Sequence, residues 1–194
     1  MSGRGLLHRK TFRSHIEITS AVIILAAAWL LVALPLQSHA QTFSVLYSFK
    51  GPPDGEGPST GLVLDSDGNI YGTTEKGGAN QCGTVFKIDK QGNETVLYSF
   101  TCALDGSTPE GGVVRDASGN LYGTTNGGGY PVGFSGYGCG TVFKVNTEGV
   151  YSVLYRFGAM PDGCFPDWVT LLVDSAGNLF GTTSSGGDNN CNPG

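Results

Sequence analysis

The chain has 194 residues, a formal net charge of −5 and 32 glycines. An acidic surface repels phosphate backbones, so we expect no nucleic-acid partner. The glycine content alone would fit disorder, but the regular spacing of apolar and aromatic residues favours a folded chain with many tight turns.

The first 40 residues differ in composition from the rest. An unbroken apolar run at 21–36 is followed by Ser38 and Ala40, the small residues that a signal peptidase requires. Four basic residues precede that run: Arg4, Arg9, Lys10 and Arg13. We predict a signal peptide over residues 1–40 and a secreted or cell-surface protein. The alternative is an uncleaved anchor helix, but the run is short for a span of about 20 residues.

Cleavage would change the chemistry that remains. Seven Lys/Arg would be left, because four of the eleven lie in residues 1–40, and fifteen Asp/Glu, because Glu17 is one of the sixteen. The net charge becomes about −8 with ordinary side-chain pKa values. All three histidines are also lost, namely His8, His15 and His39. A Ser-His-Asp or Cys-His site is therefore excluded from the mature chain.

Three motifs recur in the mature chain. GN[IL][YF]GTT occurs at 68–74, 119–125 and 177–183, GTVFK at 83–87 and 140–144, and VLY[SR]F at 45–49, 96–100 and 153–157. The tyrosines of the last motif, Tyr47, Tyr98 and Tyr155, are spaced by 51 and then 57 residues. Self-similarity at a period of about 50 residues indicates a repeat architecture.

Each unit predicts four short strands, which in the first complete unit are 61–65, 69–74, 83–88 and 95–100. Turns such as DSDGN at 65–69 supply the Asp, Gly and Asn that reverse the chain. No stretch after residue 40 has helical spacing of apolar residues, so the class is all-β. Four antiparallel strands in 51–57 residues are typical of a β-propeller blade, with a β-solenoid as the alternative.

The units divide the mature chain. We predict the last strand of one unit at 41–50, then a first repeat unit at about 51–102, a second at 103–159 and a partial third at 160–194. Propellers close with about 4–8 blades, so we expect an incomplete propeller-like array from a longer protein.

The cysteines predict disulfides, because an exported chain meets an oxidising compartment. If Phe86 faces Tyr98, facing residue numbers sum to 184, Gly92 lies at the centre of the turn and Cys82 faces Cys102. The same register implies the pairs Ile88–Val96, Thr84–Phe100 and Phe143–Tyr155. We predict a Cys82–Cys102 bond and, from the nearest partner in the following loop, a Cys139–Cys164 bond. Cys191 is left unpaired within this chain.

The combination GNLYGTT, CGTVFK, VLYSF and DG at a period of about 50 residues resembles the GloVer tandem repeats of Gloeobacter and Verrucomicrobia, also called choice-of-anchor proteins. The similarity covers residues 41–194. The resemblance implies an exported bacterial surface protein without an established activity. Membrane attachment would then depend on the leader or on a C-terminal anchor that this sequence lacks.

Aspartates are the remaining candidates for chemistry. A glycosidase needs only two carboxylates, but each set here recurs in every unit, as turn-forming residues do. The two sets are Asp65, Asp67, Asp116 and Asp174 in the DxxGN turns, and Asp54, Asp105 and Asp162 in the loops after VLY[SR]F. DSDGN begins like an EF-hand loop, but Lys76 stands where the bidentate Glu is required. We expect no cofactor and no metal site, with loop-bound Ca²⁺ as the alternative.

Aromatic residues in an insertion are the candidate binding residues. Residues 126–140 hold Tyr130, Phe134 and Tyr137 among glycines, and aromatic rings on a propeller rim suit carbohydrate or peptide binding. The alternative is that they cover a neighbouring blade. For Trp168, and for the aromatic and Thr residues of YGTT, we expect packing between blades.

These observations predict an extracellular or cell-surface repeat scaffold or binding module, not an enzyme. Its partner would be a carbohydrate or a surface protein. The alternative is part of a secreted carbohydrate-active propeller enzyme.

Overall fold

The computed structural model describes residues 42–59, 61–129, 138–158 and 161–187. Residues 42–44 are exposed and without regular secondary structure, and the chain from Val45 forms one compact unit. The described residues contain only β-strands: β1 (Gly55–Pro58), β2 (Val63–Leu64), β3 (Ile70–Gly77), β4 (Thr84–Ile88), β5 (Glu94–Ser99), β6 (Val114–Arg115), β7 (Leu121–Thr125), β8 (Thr141–Val145), β9 (Tyr151–Arg156), β10 (Gly163–Cys164), β11 (Leu172–Val173), β12 (Leu179–Phe180) and β13 (Ser185–Gly186).

The first repeat unit forms one antiparallel sheet. Strands β3, β4 and β5 lie side by side, and β2 and β1 both pair with the free edge of β3, at its start and its end respectively. The four predicted strands are confirmed, and β1 is an additional one. GEGP has little strand propensity, so β1 forms because β3 runs past Thr74 and offers an edge there.

The second unit repeats the arrangement as β6–β7–β8–β9. The third unit contributes two short pairs, β11–β12 and β10–β13. Every described strand pair is antiparallel and lies within one unit, which fits an open, propeller-like array of four-stranded sheets. The strand predicted at 41–50 is not formed in residues 42–50, because the described residues include no strand beside it.

The predicted hairpin register is wrong. Phe86 pairs with Val96 instead of Tyr98, Ile88 with Glu94 instead of Val96, and Thr84 with Ser99 instead of Phe100. The second unit shows the same error, since Phe143 pairs with Val153 instead of Tyr155.

Two local features together set the observed register. The turn closes between Asp89 and Asn93 with Gly92 at φ 86°, so it is centred on Gln91 and not on Gly92. A bulge then leaves Leu97 as an extra residue on β5. Beyond it, on the side of the cysteines, the pairing returns by one residue toward the predicted register.

The core lies between neighbouring units. Phe86, Phe100 and Phe143 are each at most 1% exposed, and burying one such side chain contributes roughly 1.5–3 kcal/mol. Six buried threonines accompany them: Thr73, Thr74, Thr84, Thr124, Thr125 and Thr141. The repeated motifs therefore supply both the apolar core and its polar contacts. None of the described ranges holds a helix long and apolar enough to cross a membrane.

Candidate functional site

The aspartates after VLY[SR]F hold their own loops. In each unit the tyrosine hydroxyl donates to the aspartate seven residues later, at 2.8 Å for Tyr47–Asp54, 2.9 Å for Tyr98–Asp105 and 2.8 Å for Tyr155–Asp162. Each of these carboxylates also accepts backbone N–H groups from its loop. The hydrogen bond to Asp54 raises the pKa of Tyr47 to about 12. The constant spacing of seven residues was a signal for these pairs that the sequence analysis did not use.

The aspartates of the DxxGN turns are engaged in a second recurring contact. Asp65 accepts the Asn69 backbone N–H at 2.8 Å and its side-chain amide at 2.9 Å, and Asp174 accepts both groups of Asn178 at 2.8 Å. The bond from the asparagine side chain is the largest influence holding the pKa of Asp65 and of Asp174 below its usual range. These carboxylates therefore close turns. Across the residues that the structure describes, no group of three or more His, Cys, Asp or Glu could hold a metal ion.

Both predicted disulfides are present. Cys82 and Cys102 have Cα atoms 5.4 Å apart, and Cys139 and Cys164 have Cα atoms 4.6 Å apart. The first bond lies within one repeat unit, whereas the second joins the second unit to the third. Cys191 lies outside the described residues.

The seams between units are built by the GTVFK and VLY[SR]F motifs together. Phe49 packs against Phe86 with ring centroids 4.9 Å apart, and Phe100 packs against Phe143 at 5.4 Å. The ring that ends one unit therefore covers the central strand of the next. Tyr98 also stacks on Tyr151 of the next unit at 3.8 Å.

Threonines add hydrogen bonds between neighbouring units. The Thr73 hydroxyl donates to the Gly111 carbonyl of the second unit at 2.9 Å, and Thr124 donates to the Pro166 carbonyl of the third at 3.4 Å. The expected packing of YGTT between blades is thus confirmed for Thr73 and Thr124, whereas the Tyr71 and Tyr122 hydroxyls donate to Asp65 and Asp116 of their own turns. In the third copy it is wrong, because Phe180 is 55% exposed and Thr182 is exposed.

Glycine allows the backbones at the seam to approach closely. A Cβ on Gly83 would lie 2.5 Å from the Pro109 ring of the second unit, and one on Gly111 would lie 2.1 Å from the Val169 carbonyl oxygen of the third. The Gly of GTVFK is therefore a contact residue, a role that its sequence pattern does not reveal.

A groove of about 510 Å³ lies at the third unit. Apolar and small side chains line it, with Phe157 of the second unit on one wall and Leu171, Leu179 and Gly181 of the third on the other. The hydroxyl-bearing Thr182 and Thr183 complete the lining.

The predicted binding aromatics Tyr130, Phe134 and Tyr137 lie outside the described residues. Trp168 does not pack between blades as expected, since it is 59% exposed. Its backbone has φ 53°. The third unit has one residue more than the other two units between its Pro and the first Asp of its DxxGN turn.

Comparison with known proteins gives a family and a fold-level likeness. A sequence model of the Gloeobacter/Verrucomicrobia repeat matches residues 33–192. No curated protein matches significantly. A solved structure described as streptogramin B lyase is similar at 17% identity and a TM-score of 0.36, over 61% of this chain and 38% of that one. This chain thus spans well under half of that structure, and the likeness carries no argument about activity.

Proposed function

This chain belongs to the Gloeobacter/Verrucomicrobia repeat family, and on that premise we propose that it is an exported, non-catalytic repeat scaffold that presents a binding surface. The observation that carries the proposal is the engagement of its recurring residues. Asp67 donates its backbone N–H to Asp65, and the other six aspartates of the two repeated sets accept hydrogen bonds from their own turns and loops. Such carboxylates serve architecture, and a glycosidase pair would need two that face a substrate.

The two disulfides support the export part of the proposal. Disulfides persist in oxidising compartments and are rare in reducing ones. Expression of the whole chain in a bacterium, followed by intact-mass analysis of the exported fraction, tests it. We expect a mature protein that begins at Gln41 and is lighter by four hydrogens for the two bonds. A cytoplasmic protein with residues 1–40 attached and free thiols would contradict it.

Exposed rings support the binding part. Trp168 offers a flat apolar face to solvent, and such faces stack on sugars and peptides. We propose carbohydrate as the ligand class and assign Trp168, Tyr130, Phe134 and Tyr137 to the surface.

A glycan array probed with the exported chain tests that assignment. Trp168→Ala and a Tyr130→Ala, Tyr137→Ala double variant should each weaken any hit, whereas Phe43→Ala, which removes a ring that is 92% exposed elsewhere, should not. Hits that all three variants retain, or no hit at all, would exclude carbohydrate binding by these rings.

A further inference from the structure

The two seams differ at one position of their outer strand. In the second seam Tyr151, which begins β9, stacks on Tyr98 with ring centroids 3.8 Å apart and donates its hydroxyl to the Asp105 carbonyl. In the first seam, where Phe49 covers β4, the same position is Glu94, which begins β5. Each of the two residues pairs with the last residue of the strand before it, so their places in the repeat are equivalent. A carboxyl group therefore replaces an aromatic ring in the first seam.

The surroundings of Glu94 repeat those of Tyr151. Tyr47 and Asp54 are the counterparts, 51 residues earlier, of the Tyr and Asp that contact Tyr151. Asp54 is the charged group that acts on Glu94, and Tyr47 is the titratable group beside both carboxyls. Oε1 of Glu94 is buried and has no hydrogen-bond partner among the described residues. An ionised carboxylate donates no hydrogen bond, so it leaves that oxygen unpaired next to a second negative charge.

Asp54 is already engaged with its own loop. Its carboxylate accepts the Tyr47 hydroxyl at 2.8 Å, the Lys50 backbone N–H at 2.9 Å and the Gly55 backbone N–H at 2.6 Å. Oε1 of Glu94 has no such donor among the described residues, and burial together with the charge of Asp54 raises the pKa of Glu94 above its ordinary value. Of the two carboxyl groups, Glu94 is therefore the one that takes up a proton.

We propose that Glu94 makes the first seam a pH-dependent latch, which holds residues 45–54 against the first repeat unit while its carboxyl is protonated and loosens when the carboxyl ionises. A protonated Glu94 supplies an O–H group where the second seam has the Tyr151 hydroxyl, and Asp54 supplies the acceptor oxygens. The second seam lacks this dependence, because burial raises the pKa of Tyr151 and its hydroxyl stays protonated. The latch depends neither on export nor on a carbohydrate ligand.

The latch should weaken as the pH rises. The folded-state pKa of Glu94 lies above the unfolded value of about 4.3. Its stabilisation is therefore full below that value and is lost as the pH rises through the folded-state pKa. The pKa values of Asp65 and Asp174 are lowered, so the contribution of those turns changes in the opposite sense. The direction of the pH effect thus distinguishes Glu94 from the turn aspartates.

Amide hydrogen exchange of the disulfide-bonded chain, corrected for the intrinsic effect of pH, tests the latch. The Lys50 N–H donates to Asp54 beside the first seam, and the Thr101 N–H donates to Asp105 at 2.8 Å beside the second, so the two amides form a matched pair. From about pH 4.5 to about pH 7.5, protection at Lys50 should fall by at least about threefold, the effect of one lost hydrogen bond on an opening equilibrium. Protection at Thr101 should stay constant.

Three variants separate Glu94 from other groups. Glu94→Gln keeps the shape and carries N–H donors but does not ionise, so it should keep Lys50 protected throughout that pH range. Glu94→Tyr copies the second seam and should do the same, which guards against a poor fit of the amide. Glu148→Gln removes an exposed carboxyl from the equivalent turn of the second unit and should retain the wild-type dependence. Protection at Lys50 that does not change with pH in the wild type, or an unchanged pH dependence in Glu94→Gln, would overturn the proposal.

Discussion

The second repeat unit and the third carry the same motif in different surroundings. The turn that opens it is alike in both, since Asp116 accepts the Asn120 backbone N–H at 2.9 Å and Asp174 accepts that of Asn178 at 2.8 Å. Five residues into each motif the two diverge, because Gly123 lies under the Phe143 ring while Gly181 lies in an open groove. The turns are thus local products of sequence, whereas burial depends on the next strand.

That difference predicts where the chain is sensitive to substitution. A residue that contacts a neighbouring strand should contribute strongly in the first two units and weakly in the third. A residue that acts only within its turn should contribute equally in all three. In repeat folds stability is a sum of unit terms and nearest-neighbour interface terms, which is the behaviour expected here.

The largest contrast should come from the seam phenylalanines. Phe100→Ala removes a fully buried ring and should destabilise the chain by about 3–5 kcal/mol. Phe157→Ala removes the equivalent ring beside the open groove and should cost about a third of that or less, because few packed contacts are lost. Urea unfolding of the exported protein measures both, with Phe100→Leu as the variant that keeps most of the volume. Equal losses for Phe100→Ala and Phe157→Ala would contradict the difference.

The disulfides come next in size. Each closes a loop of 20–25 residues, so each should stabilise the fold by about 3 kcal/mol through the entropy of the unfolded chain. A Cys139→Ser, Cys164→Ser double variant removes the bond between the second and third units. Hydrogen exchange should then rise mainly in the four strands of the third unit, β10, β11, β12 and β13. A Cys82→Ser, Cys102→Ser pair should instead affect β4 and β5. Exchange that rises in the same strands for both variants would argue against separate roles.

A smaller contrast is expected at the paired threonines. Thr125 accepts the Thr141 backbone N–H at 3.0 Å and donates to the Gly127 carbonyl at 2.9 Å, and both hydrogen bonds are buried within the second unit. Thr125→Val leaves these groups without a partner and should cost about 1–3 kcal/mol. Thr183→Val alters the third copy beside the groove and should change stability by no more than about 0.5 kcal/mol. A large loss at Thr183 would show that its hydroxyl already has a buried partner.

The smallest contrast is expected in the turn carboxylates, because Asp65 also accepts the Tyr71 hydroxyl at 3.0 Å whereas the third copy has Phe180 at that position. The folded-state pKa of Asp65 and of Asp174 is lowered by the asparagine bonds, so it lies below the unfolded value of about 3.9. The stabilisation is therefore present above about pH 4 and is lost as the pH falls through the folded-state pKa. Carboxyl NMR titration should give low pKa values for both groups, and Asn69→Ala and Asn178→Ala should each raise the neighbouring pKa. A normal pKa at Asp174 alone would show that the turn also needs a neighbour.

The accuracy of the sequence analysis follows the same division between local and non-local interactions. The DxxGN turns, the four strands and the Cys82–Cys102 bond follow from short-range pattern and were predicted. The hairpin register was not, because the turn is centred on Gln91 instead of Gly92 and the bulge at Leu97 then shifts the pairing back by one residue. The disulfide forms all the same, since the turn and the bulge shift the pairing in opposite directions.

Other features depended on a neighbouring segment and were missed for that reason. Strand β1 exists only because β3 extends beyond its motif. Trp168 was expected between blades and is exposed on the surface instead. The groove at Gly181 could be located only once Gly72 and Gly123 were seen beneath their rings.

The most direct test of the central claim, that the GN[IL][YF]GTT strand of each repeat is buried by the strand that follows it, is to supply that following strand. In a chain whose residues 188–194 are replaced by a second copy of residues 79–102, amide hydrogen exchange is measured at residues 179–183. We predict that protection rises by at least about tenfold, toward that of Leu121–Thr125, and that Phe86→Ala within the added copy removes most of the gain. Protection that stays unchanged with the added hairpin, or that rises equally with the Phe86→Ala copy, would contradict the account.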